Sequence, residues 1–163
     1  MYNLSADLLK AGSIFEFKSG PLQGPLYKVI DRKTFAGMAM RWIRLTITPD
    51  TKDKAEEYVV EYYPEQDARH VYVFGHYNGF PKTAQPFPPP SDIVLEDVGI
   101  TYHSLSPETP EGFEATYNGG DETVTHWEYE DETGENVLQI ILEKDYIDIF
   151  TGTRINIENV EVY

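Results

Sequence analysis

The side chains best placed by type to do chemistry are four histidines, His70, His76, His103 and His126, and a dense acidic run, Glu128, Glu130, Asp131, Glu132 and Glu135. His126 and Glu128 share one face of a strand, while Trp127 between them points to the other, so the carboxylate could tune the imidazole. A solvated ion pair is the commoner outcome for such neighbours. His70 and His76 bracket a strand end but follow no histidine spacing that specifies a zinc site. The acidic run supplies oxygen ligands without the glycine-centred order of a calcium loop, and reads as a charged turn. Glu143, Asp145 and Asp148 would serve glycoside hydrolysis only if the fold set their separation. No nucleophile elbow, phosphate loop or dinucleotide fingerprint is present. The sequence therefore assigns no catalytic residue, no metal site and no cofactor.

Aromatic side chains offer a second route, binding. Tyr58, Tyr62, Tyr63, Tyr72, Phe74, Tyr77 and Phe80 cluster ahead of a proline-rich segment. Most must fill a core, but Tyr and Trp faces that stay exposed recognise peptides and apolar ligands. Tyr62, Tyr72, Tyr77 and Phe80, with His126 and Glu128, are the candidate binding residues.

Composition narrows the partners. The 163 residues carry 13 Lys+Arg against 28 Asp+Glu, a formal net charge of −15. Such a chain repels phosphate backbones and anionic lipid, so nucleic-acid binding is excluded as an expectation. Without cysteine there is no disulfide, thiolate nucleophile or sulfur-ligated metal. No run of apolar residues is long enough to span a membrane, and Met1 to Lys10 lacks the basic and apolar regions of a leader, which reads as cytoplasmic. With 12 Tyr, 8 Phe and 2 Trp the chain has the payload to fold.

The elements that must position these residues are strands. Ile14–Phe17, Leu26–Ile30, Arg41–Thr48, Tyr58–Tyr63 and His70–Phe74 alternate or carry β-branched and aromatic side chains between turn residues. Thr34–Met40 is ambiguous. Ser5–Lys10 reads as one short helical turn. After five prolines between Pro81 and Pro90, strands recur at Ile93–Leu95, Thr101–His103, Phe113–Tyr117, Val124–Glu130, Asn136–Leu142 and Tyr146–Phe150. Asn118-Gly119-Gly120-Asp121 marks a hairpin turn. Thr151-Gly152-Thr153 is read as a break before Arg154–Ile157 and a terminal Val160–Val162 strand.

The two sides of the proline segment share punctuation. Each starts a strand at a glycine, Gly12 or Gly99, reaches a tryptophan, Trp42 or Trp127, and then an apolar run and an aromatic strand. This predicts an all-β duplicated domain: a first unit over 1–80, a Pro-rich connector over 81–92 and a second unit over 93–163. Each unit is expected to be a small antiparallel barrel of SH3-like or meander type, with little helix. Trp42 and Trp127 are expected as buried, equivalent core residues.

From Gly12 onward the chain resembles a bacterial domain-of-unknown-function family, number 4178. The resemblance rests on Gly12-Ser13-Ile14-Phe15, Tyr27-Lys28-Val29, the Trp42 strand, Pro88-Pro89-Pro90-Ser91-Asp92-Ile93, Gly99 and Tyr102. It continues through His126-Trp127-Glu128-Tyr129-Glu130, Val137-Leu138, Gly152 and Val160-Glu161-Val162. Glu61-Tyr62-Tyr63-Pro64 departs from the family's tryptophan-leucine strand. The resemblance implies a two-part all-β domain with no established active site, in proteins that sometimes accompany envelope or membrane-stress systems. The expectation is a non-catalytic interaction or accessory module with a protein partner, as a monomer or weak homo-oligomer. A small-ligand-binding β-barrel is the alternative, and a carboxylate-dependent hydrolase the second. A closed barrel with a lined cavity would favour the ligand; filled cores with an exposed aromatic seam would favour the partner.

Overall fold

Short runs rich in Val, Ile, Tyr and Phe, punctuated by Gly, Pro and Asp, build strands almost everywhere in the computed structural model, which describes residues 10–37, 40–51, 56–78, 88–117, 122–144 and 146–163. Among the described residues there are twelve strands: β1 (Ile14–Phe17), β2 (Leu26–Gly37), β3 (Met40–Pro49), β4 (Tyr58–Tyr63), β5 (Asp67–His76) and β6 (Asp92–Leu95), then β7 (Ile100–Ser104), β8 (Phe113–Tyr117), β9 (Glu122–Glu130), β10 (Asn136–Glu143), β11 (Tyr146–Asn156) and β12 (Val160–Val162). Among the described residues the one helical element is a 3-10 turn at Ile157–Asn159, capped by the Asn156 side chain accepting from the Glu158 amide. No described helix is long and apolar enough to cross a membrane. The fold is all-β.

Eight strands close on themselves in the order β2-β3-β4-β5-β11-β10-β9-β8, and β8 pairs back onto β2 at Phe35↔Tyr117. Every pairing is antiparallel. Closure leaves no free edge in the ring, and the remaining strands extend it: β1 and β12 beyond β2, and β7 and β6 beyond β9.

Both faces of the ring are covered, which is why β4 is buried through four consecutive residues. Val60 and Tyr62 of β4 face outward with Leu45, Ile47, Val71 and Val73 into a first core that β1 and β12 cover with Phe15, Phe17 and Val160. Tyr129, Leu138, Ile140 and Ile149 face outward into a second core under β6 and β7. Phe35, Trp42, Ala115, Tyr117 and Val124 line one part of the ring interior, and Val59, Phe74 and Val137 another.

Four expectations are corrected. The two halves do not stand as separate barrels side by side: strands of both make one ring, joined at β2·β8 and β5·β11. Nor does 93–163 form one unit. Ile155, Ile157 and Val160 pack in the first core, and β12 pairs with β1. Thr151-Gly152-Thr153 is no break but the middle of β11, where the strand passes from β10 to β5: Gly152 faces Val137 on one side and Phe74 on the other. Here a glycine is required by proximity, since a Cβ on Gly152 would stand 2.0 Å from the Val73 carbonyl oxygen. Finally, Trp42 and Trp127 are both buried but not equivalent. Trp42 faces Phe35 inside the ring, whereas Trp127 faces Ile140 and packs in the second core. The ambiguous Thr34–Gly37 simply continues β2 past a bulge at Val29/Asp31. Residues 1–9, 81–87 and 118–121, with the expected helical turn, most of the connector and the hairpin turn, lie outside the described residues.

Candidate functional site

Polar side chains inside a closed ring must find partners within it. Register supplies them. Arg44 of β3 faces Glu61 of β4, Glu61 faces Tyr72 of β5, and Tyr72 faces Arg154 of β11. On the far wall Gln139 of β10 faces Glu128 of β9.

Glu61 is 1% exposed and fully occupied. Its Oε2 accepts from Trp42 Nε1 at 3.1 Å and from an Arg44 guanidinium nitrogen at 3.0 Å; its Oε1 accepts from Tyr63 at 3.0 Å and from Gln139 Nε2 at 2.8 Å. Arg44 also donates to Gln139 Oε1 at 2.8 Å and lies over the Phe150 ring. These bonds fix the Gln139 amide orientation and neutralise the buried carboxylate, so Glu61 serves to position its neighbours.

Glu128 is different. Its Oε1 accepts from Tyr63 at 3.0 Å and from Gln139 Nε2 at 3.3 Å, with His126 Nδ1 3.6 Å away. Its Oε2 accepts no hydrogen bond among the described residues, and 28% of the side chain stays exposed. Burial alone would raise its carboxyl, but His126, Tyr63 and Gln139 outweigh that and hold it below the ordinary glutamate value. Burial and then the two glutamates hold the Tyr63 phenol well above the ordinary tyrosine value, so it stays a donor. The Tyr63 hydroxyl oxygen stands 3.0 Å from an oxygen of each carboxylate, and its single proton serves one at a time. A register shift between Glu61 and Tyr63 gives β4 this geometry, placing Tyr63 opposite Asp67.

His126 is buried against Trp42 and Phe113, with ring centroids 5.4 and 6.1 Å away, and its Nδ1 makes no hydrogen bond. At 3.6 Å its contact with Glu128 is electrostatic rather than a hydrogen bond.

The polar interior opens on a cleft. One cavity of about 170 Å³ has Tyr63, Tyr72, Phe74, Val137, Asp67 and Glu128 among its walls. A second, of about 210 Å³, reaches His126, Trp127 and Phe113. Both include Met40, Leu105 and Glu128, so Glu128 stands on the shared wall. Each volume is below the roughly 300–1,000 Å³ of ordinary ligand pockets, whereas a third, more open cavity of about 610 Å³ lies away from Glu128, with Arg32, Arg41, Trp42 and Glu65 among its walls.

Of the residues singled out from sequence, Tyr72, His126 and Glu128 meet at this cleft. Tyr72 donates to Asp67 at 3.1 Å, and burial followed by Asp67 pushes its phenol up to about 12. Tyr62 does not reach it, because alternation turns it outward into the first core. Tyr77 packs against the second core and donates to Asp97 at 3.2 Å. Phe80 lies outside the described residues. His70, His76 and His103 each meet a separate aspartate, Asp67, Asp148 and Asp92. The carboxylates considered for hydrolysis diverge: Glu143 accepts from Tyr117 at 2.6 Å, Asp148 pairs with His76, and Asp145 lies outside the described residues. Asp131 caps the β9–β10 turn by accepting from Thr133 and Asn136. Among the described residues no three His, Asp or Glu side chains gather as metal ligands would.

Sequence reasoning missed Glu61, Gln139, Arg44 and Tyr63. The signal was present for two of them: a single polar residue inside a continuous apolar run, Val59-Val60-Glu61-Tyr62 and Val137-Leu138-Gln139-Ile140, marks a strand buried on both faces with a polar partner on one.

No protein-family model matches the chain, and no curated protein or solved structure matches it.

Proposed function

We propose that this chain is a non-catalytic β-barrel that takes a small molecule into the cleft lined by Tyr63, Tyr72 and Glu128. One observation carries the reading: Glu128 Oε2, partly exposed at the wall of an aromatic-lined cleft, accepts from no described residue, while the neighbouring Glu61 is saturated. The sequence favours an interaction module over a ligand barrel; the ring and its lined cleft support the opposite order. Of the large exposed apolar side chains among the described residues, Leu26 and Ile30 share β2 while Val94, Val98, Leu105, Tyr146 and Tyr163 are spread over other strands and loops, and scattered exposed apolar residues are normal on any surface.

Descent by duplication is part of the same proposal. Each half contributes a four-strand meander to the ring, β2-β3-β4-β5 from the first and β8-β9-β10-β11 from the second. Two half-barrels meeting across a shared interior is a simple origin for a ligand cleft. The likeness to family 4178, a cytoplasmic location and a monomeric or weakly associating state complete the proposal.

The test is a fragment screen by amide NMR on the full chain. Binders are expected to shift Met40, Leu105 and Glu128; binders only elsewhere, or none, would overturn the reading.

A further inference from the structure

Charge balance around the cleft specifies the ligand further, on the basis of the reading just given. Four carboxylates surround it: Glu61 and Glu128 inside the ring, and Asp67 and Glu130 on the cleft wall. Two guanidiniums face them. Arg44 is held by Glu61 and Gln139, and Arg154 is the register partner of Tyr72, near enough to pull that phenol down slightly. Asp67 is occupied by His70 and Tyr72. Among the described residues Glu128 has only the imidazole of His126 for an ionic partner, and at 3.6 Å that contact lies beyond hydrogen-bond reach. Around it stand Tyr63, Tyr72 and Phe74, with Val137 and Leu105. An anion would face Glu128 and Glu130, and a neutral molecule would offer Glu128 no charged donor. A positively charged head satisfies the carboxylate and rests against aromatic faces, while a short apolar body fits the remaining wall.

We infer that the cleft binds a small organic cation, a primary ammonium on a short alkyl chain, which donates a hydrogen bond to Glu128 Oε2 and rests against the packed pair Tyr63 and Tyr72.

Three probes of one shape test this: n-butylammonium, n-butanol and butyrate, each titrated into the full chain and followed by the Met40, Leu105 and Glu128 amides. The ammonium is expected to bind on the order of 10-fold more tightly than the alcohol, as for a hydrogen bond to a charged group, with butyrate weakest. In Glu128→Gln the preference for ammonium over alcohol should vanish while alcohol binding persists. The ranking on the unaltered protein stands alone if that variant fails to fold. Equal or tighter binding of butanol or butyrate would overturn the cation assignment and leave the ligand barrel standing. Failure of all three to shift the cleft amides would overturn the cation, and the fragment screen then decides whether the cleft binds anything.

Discussion

Arg44 donates to Gln139 at 2.8 Å across the barrel interior, linking residues 95 apart in sequence from opposite halves of the chain. With Glu61 accepting from the same guanidinium nitrogen, this bridge ties β3, β4 and β10 from within. Breaking one member of a buried ion pair leaves the other charge uncompensated. Arg44→Met is expected to lower stability by about 3–5 kcal/mol in equilibrium denaturation. A change below about 1 kcal/mol would show that water reaches Glu61.

The seam between β5 and β11 makes a second prediction. Gly152→Ala places a methyl group against the Val73 carbonyl, with the Phe74 Cα at 2.9 Å, and both are backbone atoms that cannot rotate away. The expected loss is at least the roughly 1–3 kcal/mol of ordinary overpacking. Loss of slow amide exchange should be largest along β5 and β11.

Trp127 and Glu132 give a contrast. Trp127 fills the second core and donates to the Pro110 carbonyl at 3.0 Å, so Trp127→Ala should cost about 3–5 kcal/mol through the cavity it leaves. Glu132 is exposed on the β9–β10 turn, and its substitution should stay within about 0.5 kcal/mol. Chemical denaturation of both variants checks the order.

Acid should loosen the barrel partly through Glu128. Its folded carboxyl lies below the ordinary value, so ionisation contributes stability that is complete above the unfolded value, near 4.5, and is lost as pH falls through the lower folded value. Glu128→Gln should flatten the acid limb of a melting-temperature profile. An unchanged limb would place the acid sensitivity elsewhere, Asp67 and Asp131 being next in line.

Alkali acts on the phenols. Burial pushes Tyr72, Tyr102 and Tyr129 up to about 12, so their contribution is complete below the ordinary value of 10 and lost as pH rises from 10 through 12. Ultraviolet titration should show a late group of tyrosines ionising together with unfolding.

Much of this architecture is readable in the chain, and the unreadable part has a physical reason. Alternation in Arg41–Thr48 and the turns flanking β4–β5, β8–β9 and β10–β11 mark those strands and hairpins correctly, because hairpin pairing is local. Ring closure is not local. Nothing near Phe35 announces Tyr117 as its partner, and Thr151-Gly152-Thr153 has the composition of a turn while Gly152 sits where the β5 backbone leaves no room for a Cβ. His126 and Glu128 were visible as a shared-face pair. That this face looks into a closed ring, where a glutamate on β4 and a glutamine on β10 await them, depends on closure and was hidden with it.

The pairing of β12 with β1, Phe15 facing Val162, carries a consequence for synthesis. As the chain leaves the ribosome, β1 to β5 emerge first with Phe15 and Phe17 lacking their cover, and Ile155, Ile157 and Val160 arrive last. The earliest strands must wait for the latest, a long-separation contact that slows folding and exposes an unpaired edge to neighbouring nascent chains.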